Sequence, residues 1–174
     1  MYLKINEEEL KACAKIEYDC WRENFAPILN ISDYLYYQTE TSIRADLTQA
    51  LNNKNTHLLV TRKKIQTSYE NFDIVISGFA IVRLDPKHYV YVIDKFFIAP
   101  QYQNEGIGNS LLKIIIKNFN TFSISVSIFK ENRAAAHLLV INNFRQTANR
   151  KFILEYGKNK IPIPQTYYLL ERRK

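Results

Sequence analysis

Gly106 and Gly108 stand one residue apart in a chain that has only four glycines. Before them, residues 89–98 form an apolar, β-branched and aromatic run; after them, Leu111, Leu112, Ile115 and Ile116 share one face at helical spacing. Strand, short glycine loop and helix start is a layout that aims several backbone N–H groups at one point. Glycine permits close approach of the backbone there, and the helix dipole favours negative charge. The segment therefore predicts a phosphate site. A Walker loop would end in Gly-Lys-Ser/Thr, whereas Gly108 is followed by Asn109 and Ser110. A dinucleotide fingerprint would place a third glycine where Leu111 stands.

Gln103-Asn104-Glu105-Gly106-Ile107-Gly108 instead resembles the Gln/Arg-x-x-Gly-x-Gly/Ala signature of the GNAT superfamily of N-acetyltransferases. A second segment, with Asn132, Ala135, Leu138 and Phe144, is similar to the Asn-x-x-Ala helix of that family. Two positions depart from it: Leu139 stands at the place of the usual tyrosine, and Asn143 at that of the usual glycine. Asn is the next-best residue for a left-handed helix cap, so the second change is mild. By order of elements the resemblance spans residues 55–172.

The resemblance implies acetyl-CoA as co-substrate, no metal, and direct attack of an amine on the thioester in a ternary complex. Backbone groups of Phe96, Phe97 and Ile98 would meet the pantetheine arm, and the pyrophosphate would lie over Gln103, Asn104, Glu105, Gly106, Ile107, Gly108 and Asn109. Asn132 would join the cofactor site. Family members often carry a basic residue where this chain has Asn104-Glu105, and a carboxylate beside a diphosphate is unfavourable unless it is screened by water. The usual strand carboxylate aligns with Val92. Asp94, two residues on and so on the same face, is the candidate base; the alternative is an Asp paired with a neighbouring-strand lysine or simply exposed. His88 reads as a turn residue and His137 as surface-facing. Leu139 cannot donate a proton to the leaving sulfur, so Tyr156 is the candidate acid, with Tyr167 and Tyr168 as alternatives. The acceptor pocket would draw on residues 21–37 and 157–164. There Tyr34 and Tyr37, with Tyr36 and Glu40, either line a site for a cation or form one ordinary helix face.

Composition bounds these readings. A chain of 174 residues, 47% hydrophobic, is expected to fold as a single domain over 1–174. It would comprise a helical acceptor-side region (1–53) and a cofactor-binding core (55–172). Cys13 and Cys20 are too few for a disulfide framework. No signal-peptide pattern opens the sequence and no run approaches about 18 apolar residues; a cytoplasmic protein without a membrane partner is expected. Net charge is +7, with five basic and nine acidic residues in 1–53 against eight basic and two acidic in 144–174. No reader motif for nucleic acid accompanies the basic end.

The pattern predicts a short strand at 2–5 and a helix over 7–24 broken by Pro27. A second helix should run from an N-cap at Ser32-Asp33 to Leu51. Strands follow at 57–65, 73–84 and up to 98, then helix 107–118, strand 122–129, helix 133–142 and strand 144–156. A Pro/Gly loop at 157–164 and a last strand at 166–171 complete the order. The expected class is α/β (α+β), the GNAT fold with a mixed, mostly antiparallel sheet flanked by helices. Three functions follow: an N-acetyltransferase acting on a primary amine of a small molecule or peptide, as monomer or homodimer; a non-catalytic acyl-CoA-binding protein that lost the acid; and a basic interaction protein.

Overall fold

A computed structural model describes residues 6–172; the strand expected at 2–5 lies outside the described residues. Six strands form one sheet in the order β1-β2-β3-β4-β6-β5. They are β1 (Thr56–Gln66), β2 (Phe72–Asp85), β3 (Val90–Ile98), β4 (Ser123–Phe129), β5 (Arg145–Tyr156) and β6 (Asn159–Leu170). All neighbours pair antiparallel except β3 and β4, which are parallel. The mixed, mostly antiparallel sheet expected from sequence is thus observed.

Alternation along β2 sorts the two layers. Phe79 and Ile81 face helices α1 (Glu7–Cys20) and α3 (Glu40–Leu51), among Cys13, Ile16, Ile43 and Leu47. Ala80 and Val82 face the opposite way, into a core with Leu111, Leu112 and Ile115 of α4 (Ile107–Asn118) and Leu139 of α5 (Arg133–Ile141). A third cluster joins Trp21, Ile31 and Tyr34 to Leu154, Tyr156 and Ile163. It ties the connection between the first helices to the β5–β6 hairpin.

Three expectations are corrected. Pro27 does not end the first helix. Trp21–Phe25 form a π turn in which Ala26 N–H donates to the Trp21 carbonyl, and α2 (Ala26–Leu29) follows. Widening the turn removes the clash between the proline ring and the carbonyl four residues back. The path ends at Asn30, whose φ of 53° is left-handed. The second expected helix is really two pieces. Ser32–Tyr36 is a 3-10 turn, and α3 starts only at Glu40, behind a capping box in which Thr39 Oγ1 accepts from Ser42 N–H at 3.2 Å.

The loop expected at 157–164 is a two-residue turn, with Gly157 at φ 54°, and Pro162 and Pro164 lie inside β6. The Pro164 carbonyl accepts from Lys130 N–H at 3.0 Å, on the β4 side. Its missing N–H therefore also faces that side, where β4 has ended, and the ladder to β5 loses nothing.

β3 and β4 pair for four residues only, from Val90↔Ser123 to Ile93↔Val126. Beyond that, β3 continues with β2 as far as Gly78↔Ile98, while β4 continues with β6 as far as Phe129↔Gln165. Each strand follows its outer partner, and a wedge opens between them.

Candidate active site

The glycine loop closes the wide end of that wedge. Gly106 is the N-cap of α4 with φ 80°, and no side chain caps the helix. The amides of the first helical turn are thus left to an external acceptor. A Cβ on Gly106 would meet nothing within 4 Å, so its backbone angle, not space, calls for glycine. A Cβ on Gly108 would make ordinary contacts at 3.6 Å with Ile98 and Leu138. The amides, the left-handed turn and the open wedge fit a phosphorylated cofactor carrying a flexible arm.

Side chains around the loop are largely committed to building it. Gln103 Nε2 donates to the Ile98 carbonyl at 3.0 Å, and Cys20 Sγ donates to the same oxygen at 3.2 Å. That carbonyl points away from β2, while Ala99 N–H donates to Ser77 on β2. By strand alternation the peptide groups of Phe96 and Ile98 face the wedge, and those of Phe97 face β2. Asn104 takes a φ of 63°. Glu105 is turned away onto Lys63 of β1, which also lies 4.7 Å from the Tyr102 ring centroid. The expected conflict between Glu105 and a diphosphate is thereby offset by a lysine that the sequence did not flag. Asn109 Oδ1 accepts from Asn142 Nδ2 at 2.9 Å, and Ile107 is the first residue of α4. Asn132 caps α5, its Oδ1 accepting from Ala135 N–H at 3.0 Å, and it lines the cleft.

A cleft of about 570 Å³ runs from this wedge to the acceptor-side helices. Its cofactor-side wall includes Phe96, Phe97, Asn132 and Leu138; its far wall includes Trp21, Phe25, Tyr34 and Tyr167.

The candidate catalytic residues fare unevenly. Ile81 pairs with Lys95 and Val82 with Ile93, so Asp94 is the extra residue of a β-bulge; it reaches Arg83, the cross-strand partner of Val92, and so keeps the face expected of it, while Lys95 joins it there. Asp94 borders the cleft but is not buried: its carboxylate makes a two-pronged ion pair with Arg83, at 2.8 and 3.2 Å. A neighbouring-strand pairing is thus observed, with an arginine where a lysine was expected. Tyr156 is buried, its hydroxyl donating to Asp33 Oδ1 at 2.8 Å, and it stays out of the cleft wall. Tyr168 belongs to the α4–α5 core, and Tyr167 is the tyrosine of β6 that borders the cleft. Leu139 is 4% exposed and packs in that same core. His88 and His137 are exposed, the former beside Asp85 at 2.8 Å.

The tyrosine cluster separates in the same way. Tyr34 lines the cleft against Trp21, with ring centroids 4.8 Å apart, and burial pushes its hydroxyl up to about 12. Tyr37 is half exposed, stacked on Tyr156 and pressed against Gly157, while Tyr36 is 86% exposed. The single helix face that would have joined them is broken by the 3-10 turn.

A second group escaped the sequence reading. Glu17, on α1, is 3% exposed and lines the cleft, with its Oε1 on Lys95 of β3. Burial raises its pKa above the ordinary 4.5, against the opposing pull of Lys95. The signal was present: Cys13, Ile16, Glu17 and Cys20 form a buried stripe at i, i+3, i+4, i+7, and Glu17 is its one charged member. Both thiols are free, and burial pushes each up to about 12. Among the described residues no group of three His, Cys, Asp or Glu could hold a metal ion, and no helix is long and apolar enough to cross a membrane.

The sequence matches the model of the Acetyltransferase (GNAT) family over residues 12–141. The chain belongs to this family. No curated protein matches it significantly. Among solved GNAT-fold structures, it is similar to YncA of Salmonella typhimurium, a proposed acetyltransferase solved with its cofactor acetyl-CoA. There the TM-score is 0.68 at 18% identity, covering 98% of this chain and 92% of that one. An N-acetyltransferase from Staphylococcus aureus Mu50 gives 0.69 at 17% identity, covering 96% and 94%. A ribosomal-protein-alanine N-acetyltransferase from Brucella melitensis gives 0.69 at 17%, covering 96% of both chains. At these identities the likeness speaks for the fold.

Proposed function

We propose that this GNAT protein, as one domain, transfers the acetyl group of acetyl-CoA to a primary amine of a small molecule or peptide, with both substrates bound together. The observation that carries the reading is the cleft in which Phe96 and Leu138, the neighbours of Gly108, face an aromatic acceptor-side wall. Acetyl-CoA, when bound, supplies an activated acetyl thioester.

The chain's own part is mostly positioning. The first-turn amides of α4 would hold the pyrophosphate, with Lys63 keeping the Glu105 carboxylate occupied. The peptide group of Phe96 and the N–H of Ile98, whose carbonyl is already taken by Gln103 and Cys20, would hold the arm in extended form along β3, so that its end points at the acceptor side. Fixing both reactants in one cleft removes the entropy cost of their encounter, worth about 7–11 kcal/mol where the geometry is good. Asp94 is held by Arg83 and Tyr156 by Asp33, which leaves Tyr34 and Tyr167 as the tyrosines of the cleft wall.

The buried Leu139 favours a second reading, an acyl-CoA-binding protein without turnover. Calorimetric titration with acetyl-CoA, on wild type and Gly106→Asp, tests the common element. Binding that depends on the loop is expected, and equal binding by both proteins would place the phosphates elsewhere. Release of free thiol in the presence of amines then separates enzyme from binder.

A further inference from the structure

Glu17 is an unusual cleft residue because half of its carboxylate has no role in holding the fold. Oε1 is taken by Lys95, but Oε2 is buried and has no hydrogen-bond partner. A buried charged oxygen left unpaired costs free energy of folding, and such groups concentrate where a ligand completes them. The charges facing Glu17 are Lys95 from β3 and Asp46 from α3, both at the cleft. Tyr34 from the 3-10 turn faces it too, as do Cys13 and Cys20 on α1 itself, all three protonated at neutral pH. Two carboxylates against one lysine leave the spot one negative charge in excess. Around it stand the rings of Trp21, Phe25 and Tyr34, Trp21 and Phe25 meeting edge to face at 5.4 Å. Glu17, Lys95 and Phe96 line one and the same cleft.

We propose that Glu17 Oε2 receives the acceptor amine as its ammonium ion and takes one of its protons. This rests on the acetyltransferase reading above and narrows the acceptor to a cationic primary amine on an apolar or aromatic body. In the proton step one N–H bond of the ammonium breaks, an O–H bond forms at Oε2, and the electron pair stays on nitrogen as the nucleophilic lone pair. Lys95 holds Oε1 and keeps the carboxylate ionised against the desolvation of its site, while the rings of Trp21, Phe25 and Tyr34 face the rest of the molecule. The carboxylate that β3 lacks at Val92 thus comes from the facing helix.

The test uses 2-phenylethylamine as cationic probe and 2-phenylethanol as its neutral counterpart, titrated by calorimetry into the full chain. Wild type is expected to prefer the amine, and Glu17→Gln to bind it at least about tenfold more weakly, the size of a lost charged hydrogen bond. Affinity for the alcohol should not change. Asp46→Asn, on an exposed helix position, should weaken the amine by a smaller factor. Amine binding should also fall as pH drops through a Glu17 pKa lying above 4.5. Equal affinity of wild type for amine and alcohol, or undiminished amine binding by Glu17→Gln, overturns the proposal. Acetyl-CoA titrations on the same proteins keep the two readings apart. Wild type that binds the amine but no acetyl-CoA sinks the acetyltransferase reading alone. Wild type that binds acetyl-CoA, with amine affinity indifferent to residue 17, sinks the Glu17 site alone.

Discussion

The two ends of the cleft are built in different materials. On the proposed reading, the groups at the cofactor end are main-chain: first-turn amides of α4, the peptide group of Phe96 and the N–H of Ile98, shaped by Gly106 and tied down by Gln103. At the acceptor end they are side chains, Glu17, Trp21, Phe25 and Tyr34, delivered by three separate helical pieces and held by packing. A main-chain site demands particular backbone angles, which few residue types satisfy, and so it leaves a compact local signature. A side-chain site demands only that the fold bring the right atoms together.

The largest expected break in that comparison is Gly106→Asp. A non-glycine residue at φ 80° carries strain of about 1–3 kcal/mol, and its carboxylate would lie beside the phosphates. Calorimetry should show acetyl-CoA affinity falling by at least about tenfold, while a melting curve stays cooperative. Next comes Glu17→Gln, read through stability. Its folded pKa is raised, so between 4.5 and that value the native chain binds more protons than the unfolded one. Wild-type stability should therefore rise as pH falls through that window, and the Glu17→Gln protein should lose this component of the slope. Thermal melts from neutral to mildly acidic pH check the sign; a carboxylate lowered by Lys95 would give the opposite trend.

Asp94→Asn should be milder. The Arg83 pair is about a third exposed on each side, which limits its worth to about 0.2–1 kcal/mol. A small drop in melting temperature with little change in turnover is expected, whereas a large loss of turnover with an altered pH–rate profile would restore Asp94 as the base. Smallest of all is Lys63→Ala. Freeing Glu105 should weaken acetyl-CoA by roughly the few tenths of a kcal/mol typical of exposed charges, and the difference should fade in high salt.

Legibility followed the same division. Helix α4 occupies 107–118 as the glycine loop and apolar periodicity predict, because one left-handed residue and one amphipathic face fix both ends. Asp94 keeps the face of Val92, but its partner Arg83 stands on the neighbouring strand, where no pattern along β3 alone could reveal it. The hairpin at 157–158 was hidden by Pro162 and Pro164, which read as strand breakers until β4 is seen to stop short of them. Ser32-Asp33 carries the helix-start signal read from sequence, whereas Thr39 is the observed N-cap of α3. Which one opens α3 is decided by burial of Ile31 and Tyr34 beside Trp21, a contact no local window contains. Glu17 was legible in principle, as a charge inside an apolar stripe, yet it follows Glu7, Glu8 and Glu9 on the same helix and reads as one more solvated acid.

The four-residue ladder between β3 and β4 has a mechanical consequence. The sheet is two three-stranded leaves sewn together by a short seam, with β1-β2-β3 on one side and β4-β6-β5 on the other. Leaves joined so sparingly can breathe against each other, and a molecule threaded down the opening would act as extra stitching. Amide hydrogens along Ile93 and Val126 should then be the ones whose exchange with solvent slows most when the cleft is filled, a footprint visible well before any acceptor is known.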